Sequence, residues 1–231
     1  MTAVPDFDIT SLTIEGYSGN PVANRFFRQR SETGRLAIQL PGLWYTCDMP
    51  LLYYSRLVLV RRGIDVLQLH TDYTGPVFQS SSPEERLQWG YLDARGALQA
   101  ALAQREYQQL ILVGKSIGTI PMAQLVEAGI GMDTILIWLT PLLHQSRLVE
   151  SALQWRGPAL FAVGTGDSTY QAQVLDRICQ QTGAEVIIIE GADHSLEIPG
   201  DWSRSLQAMD EVMSGLEGFL DQHLEKSLDR G

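Results

Sequence analysis

Short apolar runs alternate with longer amphipathic segments along most of the chain. From residue 36 onward the apolar runs are continuous, instead of alternating between apolar and polar positions. Continuous runs are typical of strands that helices cover on both faces, as in a parallel sheet. We therefore predict strands at 36–40, 65–69, 110–113, 134–139, 159–163 and 186–189.

The segments between these strands have the pattern of helices. The clearest helix spans 83–105, where Ser81 or Ser82 can cap the first turn and Pro83 occupies the first helical position. Alternation of strands and helices is typical of a doubly wound α/β fold. Further helices are predicted at 51–61, 118–128, 169–182 and 202–228, the last as one long helix or a kinked pair.

The first part of the chain follows a different pattern. Residues 9–15 alternate apolar and polar side chains with a period of two, which predicts a half-buried strand. Turn residues follow at 16–21, and 22–28 is predicted as a second strand, antiparallel to the first. The prediction is one domain over 1–231, with a mostly parallel sheet of about eight strands, an antiparallel N-terminal hairpin at one edge and helices on both faces.

Composition excludes several partners. The formal net charge is −10, so the chain lacks the surplus of Lys and Arg that nucleic acid or an anionic membrane surface requires. No apolar run approaches the roughly 20 residues that span a bilayer, and residues 1–10 lack the apolar core of a signal peptide. We therefore expect a cytoplasmic protein that binds neither nucleic acid nor membrane.

The chain has only two cysteines and four histidines. Cys47 and Cys179 are expected to be free thiols in a reducing compartment, although a disulfide is left open. No group of His, Cys and Asp has the spacing of metal ligands. The sequence therefore predicts neither a metal nor a cofactor.

Residues 114–118, with the sequence GKSIG, directly follow the predicted strand 110–113 and open the next helix. The pattern G-x-S-x-G between a strand and a helix is typical of a nucleophile turn, in which a strained backbone presents the serine hydroxyl, here Ser116. Small residues are needed on both sides because the strand and the helix crowd the turn. A phosphate-binding loop would need a glycine at position 109, where this chain has Gln109, so we exclude nucleotide hydrolysis.

A serine nucleophile needs a base, and the base needs an orienting acid. Asp167 and His194 follow the predicted strands 159–163 and 186–189. The carboxyl ends of parallel strands lie at one edge of the sheet, beside the Ser116 turn, and the order serine, acid, histidine suits this chemistry. Alone, Asp167 could instead cap the next helix, and His194 could be an ordinary loop residue.

Other residues compete for the two partner roles. Asp193 is the rival acid, but as the immediate neighbour of the histidine it is expected to point elsewhere. His70 and His144 come too early in the chain for the base, and His223 lies in the predicted C-terminal helix. Asp167 and His194 therefore remain the preferred pair.

The motifs resemble those of the α/β-hydrolase superfamily, in particular its small bacterial members without a cap, over about residues 10–225. Residues 114–118 resemble the nucleophile elbow and 164–167 the acid turn. Residues 191–195 closely resemble the histidine loop, which is the most specific of the three motifs.

The resemblance also implies an oxyanion hole made of backbone N–H groups. Many members carry His-Gly after the third strand, whereas this chain has Pro41-Gly42. The implied donors are Ile117 and Leu43, with Trp44 as a substitute for Leu43. Because the donor is a backbone group, a proline before the glycine need not abolish it.

The implied function is a serine hydrolase that cleaves a carboxylic ester or similar acyl bond of a small molecule through an acyl-enzyme intermediate. Residues 142–158 leave room for a connecting helix but not for a separate lid. An acyltransferase or thioesterase would use the same residues, and a binding protein without activity can share the fold. The oligomeric state is left open. Residues expected near the substrate, with ordinary loop packing as the alternative interpretation of each, are Trp44, Tyr45, Tyr73, His144 and Tyr170.

Overall fold

The computed structural model describes residues 6–225. Its strands are β1 (Phe7–Thr10), β2 (Asn24–Gln29), β3 (Arg35–Leu40), β4 (Asp65–Leu69), β5 (Gln109–Lys115), β6 (Asp133–Leu139), β7 (Ala159–Gly164) and β8 (Glu185–Ile189). Its helices are α1 (Pro50–Arg61), α2 (Pro76–Ser80), α3 (Pro83–Leu102), α4 (Thr119–Glu127), α5 (Ser146–Gln154), α6 (Ala172–Thr182) and α7 (Trp202–Glu225).

The strands form one eight-stranded sheet in the order β1-β2-β4-β3-β5-β6-β7-β8. β1 pairs antiparallel with β2, and β2 pairs antiparallel with β4, so the N-terminal hairpin lies at one edge. All other pairs are parallel. The predicted sheet, with its strand number and its hairpin, is confirmed.

The register brings the carboxyl ends of the central strands to one edge. Leu40 of β3 lies opposite Gly114 of β5, and Lys115 lies opposite Leu139 of β6. Gly164 of β7 lies opposite Ile189 of β8. The loops that leave these strands therefore meet, as a parallel sheet requires.

Helices cover both faces of the sheet, so apolar side chains of one strand enter two cores. In β5, Leu110 and Leu112 pack with residues of α3 and α4, whereas Ile111 and Val113 pack with residues of α1 and α7. This alternation explains why the strand is a continuous apolar run.

The edge strand β8 is an exception, because Val186 and Ile188 are 39% and 41% exposed. The expectation that helices cover both faces of this strand was wrong.

The N-terminal strand is shorter than its alternating pattern predicts. β1 ends at Thr10, and the backbone N–H and C=O of Leu12 bond to the side-chain amide of Asn24 at 2.8 Å each. The side chain of Asn24 thus takes the place of a backbone partner for Leu12. The chain turns at 16–20, and a single bridge between Glu15 and Pro21 closes this turn.

The helices follow the sequence pattern closely. A capping box of Ser82 and Glu85 begins α3, as the serine–proline start predicts. The C-terminal segment is one helix up to Glu225, and predicted helical residues 226–228 lie outside the described residues. Within residues 6–225 no helix combines the length and the apolar character that crossing a bilayer requires.

Candidate active site

The turn from β5 into α4 carries Ser116 in a left-handed backbone conformation, with φ of 52°. A non-glycine residue rarely adopts this conformation, and strain of this kind is often found at functional sites. The side chain of Thr119 donates to the carbonyl of Ser116 and braces the turn. The strained turn that the sequence predicts at Ser116 is therefore present.

The two flanking glycines are required by close packing, and neither has a positive φ. A Cβ on Gly118 would overlap the backbone carbonyl oxygens of Leu40 and Pro41. A Cβ on Gly114 would lie 3.0 Å from the backbone of Gly118 and Thr119. Only hydrogen fits at Gly118, and a Cβ at Gly114 would require the adjoining backbone to shift, which agrees with the crowding expected from the sequence.

Ser116, His194 and Asp167 form one chain of hydrogen bonds. His194 Nε2 lies 2.7 Å from Ser116 Oγ, and His194 Nδ1 lies 2.7 Å from Asp167 Oδ2. The distances fit a neutral imidazole whose Nδ1–H donates to the carboxylate and whose Nε2 accepts from the serine hydroxyl. This is the arrangement of a base poised to activate a nucleophile.

Asp167 is held in place as a charged group. Burial raises the pKa of this carboxyl, but hydrogen bonds from His194 and from the backbone and hydroxyl of Thr169 outweigh burial and leave the pKa below its ordinary value. Both Thr169 bonds go to Oδ1, at 2.8 and 2.9 Å, which leaves Oδ2 for the imidazole. The helix α6 begins at Ala172, and not at the predicted Thr169, because Gln171 has an extended backbone conformation.

The acid turn packs directly on the histidine loop. The N–H of Gly166 donates to the carbonyl of Ala192 at 2.9 Å, and a Cβ on Gly164 would overlap that same carbonyl oxygen. Asp193 turns away from the imidazole, since its Oδ1 accepts from the N–H groups of Ser195 and Glu197. Asp193 therefore stabilises the backbone of the histidine loop and points away from the imidazole, as expected from its position beside His194.

The expected oxyanion donors lie on two adjoining segments. Gly42 and Tyr45 exchange backbone hydrogen bonds of 2.9 and 3.4 Å, which places Leu43 and Trp44 at the tip of a tight turn. Among the residues that the structure describes, neither the Leu43 nor the Trp44 N–H has a hydrogen-bond partner. Trp44 has φ of 58° and is 76% exposed. The structure leaves both donors open, and Leu43 with Ile117 stays a prediction.

Two cavities adjoin this turn and the start of α4, and Tyr73 lines both. One cavity, of about 250 Å³, lies between α3 and α4 and is largely apolar. The other, of about 340 Å³, is also lined mainly by apolar surface, although polar side chains such as His70, Thr71 and Asp72 border it. Residues of the first include Phe78, Leu87, Ile117, Ile120 and Pro121, and residues of the second include Gly42, Trp44, His70, Thr71 and Asp72.

A larger cavity, of about 590 Å³, lies at the opposite edge of the sheet. It includes Tyr107, before the start of β5, and Met132, before the start of β6. It is therefore remote from Ser116, which follows the end of β5.

The five residues expected near the substrate have different surroundings. Trp44 and Tyr73 line the cavities described above. Tyr45 is a core residue instead, because its ring packs in the core on the α1 side and its hydroxyl accepts from the N–H of Leu51. His144 is exposed, Tyr170 packs at the margin of the other core, and neither lines these two cavities.

Sequence reasoning missed two residues of the site. Thr169 orients Asp167, and its position two residues after an aspartate is a recognisable turn signal. Lys115 is fully buried and its Nζ donates to the carbonyl of His194. Nothing in the pattern of the sequence distinguishes this lysine from a solvated one.

The cysteines do not form a disulfide, since Cys47 and Cys179 are both free. Burial raises the pKa of the Cys47 thiol well above its ordinary range, so this group stays protonated. Over residues 6–225 no group of three or more His, Cys, Asp and Glu side chains is arranged to hold a metal ion.

No protein-family model matches the sequence, and no curated protein matches it either. Solved structures do match its backbone. The Pf2001 esterase of Pyrococcus furiosus has a TM-score of 0.71 at 12% identity, over 94% of this chain and 93% of that chain. Est1E of Butyrivibrio proteoclasticus, solved with ferulic acid, has 0.70 at 11% identity, over 92% and 99%. XC6422 of Xanthomonas campestris, a serine hydrolase without a lid, has 0.66 at 15% identity, over 96% and 97%.

The chain has the α/β-hydrolase fold. Nearly complete coverage of both chains in each comparison means that the likeness extends over the sheet and its helices together. In this α/β-hydrolase fold the segment between β6 and β7 contains one helix, α5. The fold class predicted from the sequence is confirmed.

Proposed function

We propose that this chain is a serine hydrolase that cleaves a carboxylic ester or a similar acyl bond of a small molecule. The observation that carries the proposal is the unbroken chain of hydrogen bonds from Asp167 through His194 to Ser116. The α/β-hydrolase fold, shared with two esterases and a serine hydrolase, supports the same reaction class.

In the proposed mechanism, His194 takes the proton of Ser116 as the oxygen attacks the acyl carbonyl. Asp167 holds the imidazole in the required tautomer and stabilises the imidazolium that forms. His194 then returns the proton to the leaving group, and water releases the acyl group by the same steps. The side chain of His194 is 37% exposed, which allows water to approach the base directly.

The negative charge that develops on the carbonyl oxygen needs preorganised donors. The N–H of Ile117 lies at the start of the helical segment behind the nucleophile, where backbone donors are unpaired. The tip of the turn at Leu43 and Trp44 supplies the second donor. A Cβ on Gly42 would lie 3.3 Å from the Cβ of Ser116, so this turn is close enough to serve the same oxygen.

The cavity between α3 and α4 is the proposed site of the acyl group. Ile117 lines this cavity and its N–H is a proposed oxyanion donor, so the cavity adjoins the turn that carries Ser116. A volume of about 250 Å³ fits a short or medium apolar chain and not a large polymeric group. The second cavity, which Tyr73 also lines and which His70 and Asp72 border, is then available to the alcohol part of the ester.

The proposal is tested by reaction with a fluorophosphonate probe and by turnover of activated esters. We expect the intact protein to be labelled at one residue, identified by peptide mass as Ser116, and to hydrolyse short-chain esters or thioesters. Ser116→Ala should show neither reaction. Labelling that persists in Ser116→Ala would reject the nucleophile, and a folded protein that is neither labelled nor active would reject the function. Product analysis with competing alcohols separates hydrolysis from acyl transfer.

The acyl cavity gives a second prediction, based on Gly90 of α3. A Cβ at Gly90 would meet Pro121 and Tyr73 at 3.8 Å, an ordinary contact, so Gly90→Ala fits. Gly90→Leu should fill the cavity and lower kcat/KM for octanoyl relative to acetyl esters by about 10-fold or more. Gly90→Ala is the matched control and should leave this ratio nearly unchanged. Equal chain-length profiles for Gly90→Leu and the parent protein would place the acyl group elsewhere.

A further inference from the structure

Lys115, immediately before the proposed nucleophile, is the most unusual residue of the site. Its side chain is among the largest that are fully buried, with 1% of the residue exposed. Lysine is almost never fully buried unless a partner compensates its charge. No carboxylate within residues 6–225 lies within ion-pair distance of Lys115, so its position calls for another explanation.

The amine of Lys115 joins three segments of the site. Its Nζ donates to the carbonyl of His194 at 2.9 Å and lies 4.7 Å from the centre of the Tyr45 ring. Tyr45 closes the turn of the proposed oxyanion donors by its backbone bonds to Gly42. Lys115 therefore bridges the nucleophile turn, the histidine loop and the oxyanion turn.

The contact with His194 is made to its backbone, so Lys115 acts on the position of the imidazole and not on the reacting atoms. Misplacing a catalytic group by about 1 Å can lower a rate by about 100-fold. The histidine loop follows β8, which is an edge strand and has a neighbouring strand on one side only. A tether from the central strand β5 supplies the restraint that the edge strand lacks.

We propose that Lys115 is a positioning residue, whose hydrogen bond to the His194 carbonyl holds the histidine loop against the nucleophile turn so that Nε2 stays within reach of Ser116. The inference rests on the proposed serine-hydrolase function. It assigns a role to a side chain that the hydrogen-bond chain of Asp167, His194 and Ser116 does not include.

The charge of Lys115 adds a pH dependence. The charged and titratable groups that face it are Tyr45 on the oxyanion turn, Asp167 after β7, and Asp193 and His194 on the histidine loop. Burial lowers the pKa of Lys115 to about 7, although Asp167 and Asp193 oppose this shift. Near neutral pH the amine therefore changes charge, and its neutral form still donates to the carbonyl. The protonated form places a positive charge near the imidazolium that the reaction must create.

The sign of the effect on stability follows from the same change. The amine has a pKa of about 7 when folded and an ordinary value of 10.5, so between these values the unfolded chain binds more protons than the folded one. Stability therefore rises with pH across this window, and the full penalty of burying the amine is present below about pH 7. Lys115→Met removes this dependence.

The test compares Lys115→Met with Gln109→Leu, which removes a buried polar side chain from the opposite end of the same strand. We expect Lys115→Met to lower kcat about 10- to 100-fold for an activated ester and to slow probe labelling in parallel. KM should change by less than about twofold, because substrate contacts are retained. The part of the kcat/KM pH profile that follows the Lys115 midpoint should disappear, and the melting temperature should depend less on pH. Gln109→Leu should keep the parent kcat and pH profile.

A second measurement does not depend on the folding of a Lys115 variant. The sequence contains only one other lysine, Lys226, so ¹³C-lysine NMR of Lys226→Arg reports Lys115 alone. The Lys115 signal should titrate near neutral pH, with a midpoint that matches the step in kcat/KM of the same protein.

Two results would overturn the inference. One is a Lys115→Met protein with unchanged kcat and pH profile, and the other is a kcat/KM curve without a step at the Lys115 midpoint. Failure of the proposed function is a different outcome, because the parent protein itself would then be neither labelled nor active.

Discussion

Asp167→Asn is expected to lower kcat by about 10⁴-fold while the protein stays folded. The structure dictates which way the new amide faces. The N–H and the hydroxyl of Thr169 both donate to Oδ1 of Asp167, so the carbonyl oxygen of asparagine must take this position. Its NH₂ group then points at Nδ1 of His194 and donates to it. The imidazole is forced to carry its proton on Nε2, where it can no longer accept one from Ser116.

Asp193→Asn is the matched control, because it makes the same chemical change at the neighbour of His194. Oδ1 of Asp193 accepts from two backbone N–H groups, and an asparagine oxygen can accept the same bonds. We expect a change in kcat of less than about threefold. Both variants are measured with one activated ester. A larger loss of kcat in Asp193→Asn than in Asp167→Asn would mean that Asp193, and not Asp167, orients His194.

Gly118→Ala is expected to destabilise the protein by about 3 kcal/mol or more and to abolish activity in any protein that still folds. The backbone of Gly118 has φ of −64° and ψ of −16°, which alanine adopts readily, so the effect is purely steric. The added Cβ would overlap the carbonyl oxygens of Leu40 and Pro41. These are backbone atoms that cannot rotate away, and they lead directly into the proposed oxyanion turn.

Gly218→Ala provides the control for this prediction. Gly218 lies in α7, and a Cβ there meets no atom within 4 Å. Alanine should raise stability by about 0.5–1 kcal/mol, because it lowers the conformational freedom of the unfolded helix segment. Urea unfolding of both variants measures the difference. A Gly118→Ala protein as stable as the parent would show that the segments of Leu40 and Ser116 pack loosely enough to admit a Cβ at position 118.

Much of the fold follows from the sequence because burial leaves a local signature. β4 has the predicted bounds of 65–69, and β5 and β6 extend the predicted strands by at most two residues at either end. The capping box of α3 was recognisable as a serine, a proline and two glutamates. One boundary failed where a side chain replaced a backbone partner, as Asn24 does at Leu12, and another where the backbone stays extended, as at Gln171 before α6.

The sequence by itself was sufficient to select Ser116, Asp167 and His194, since each follows the end of a parallel strand and topology brings those ends together. Only the tertiary structure shows their distances, the turning away of Asp193 and the two cavities that Tyr73 lines. It alone reveals that Lys115 is buried against His194, a residue 79 positions further along the chain. The physical reason is that local patterns record which face of an element is buried, whereas contacts between loops depend on side-chain packing across distant segments.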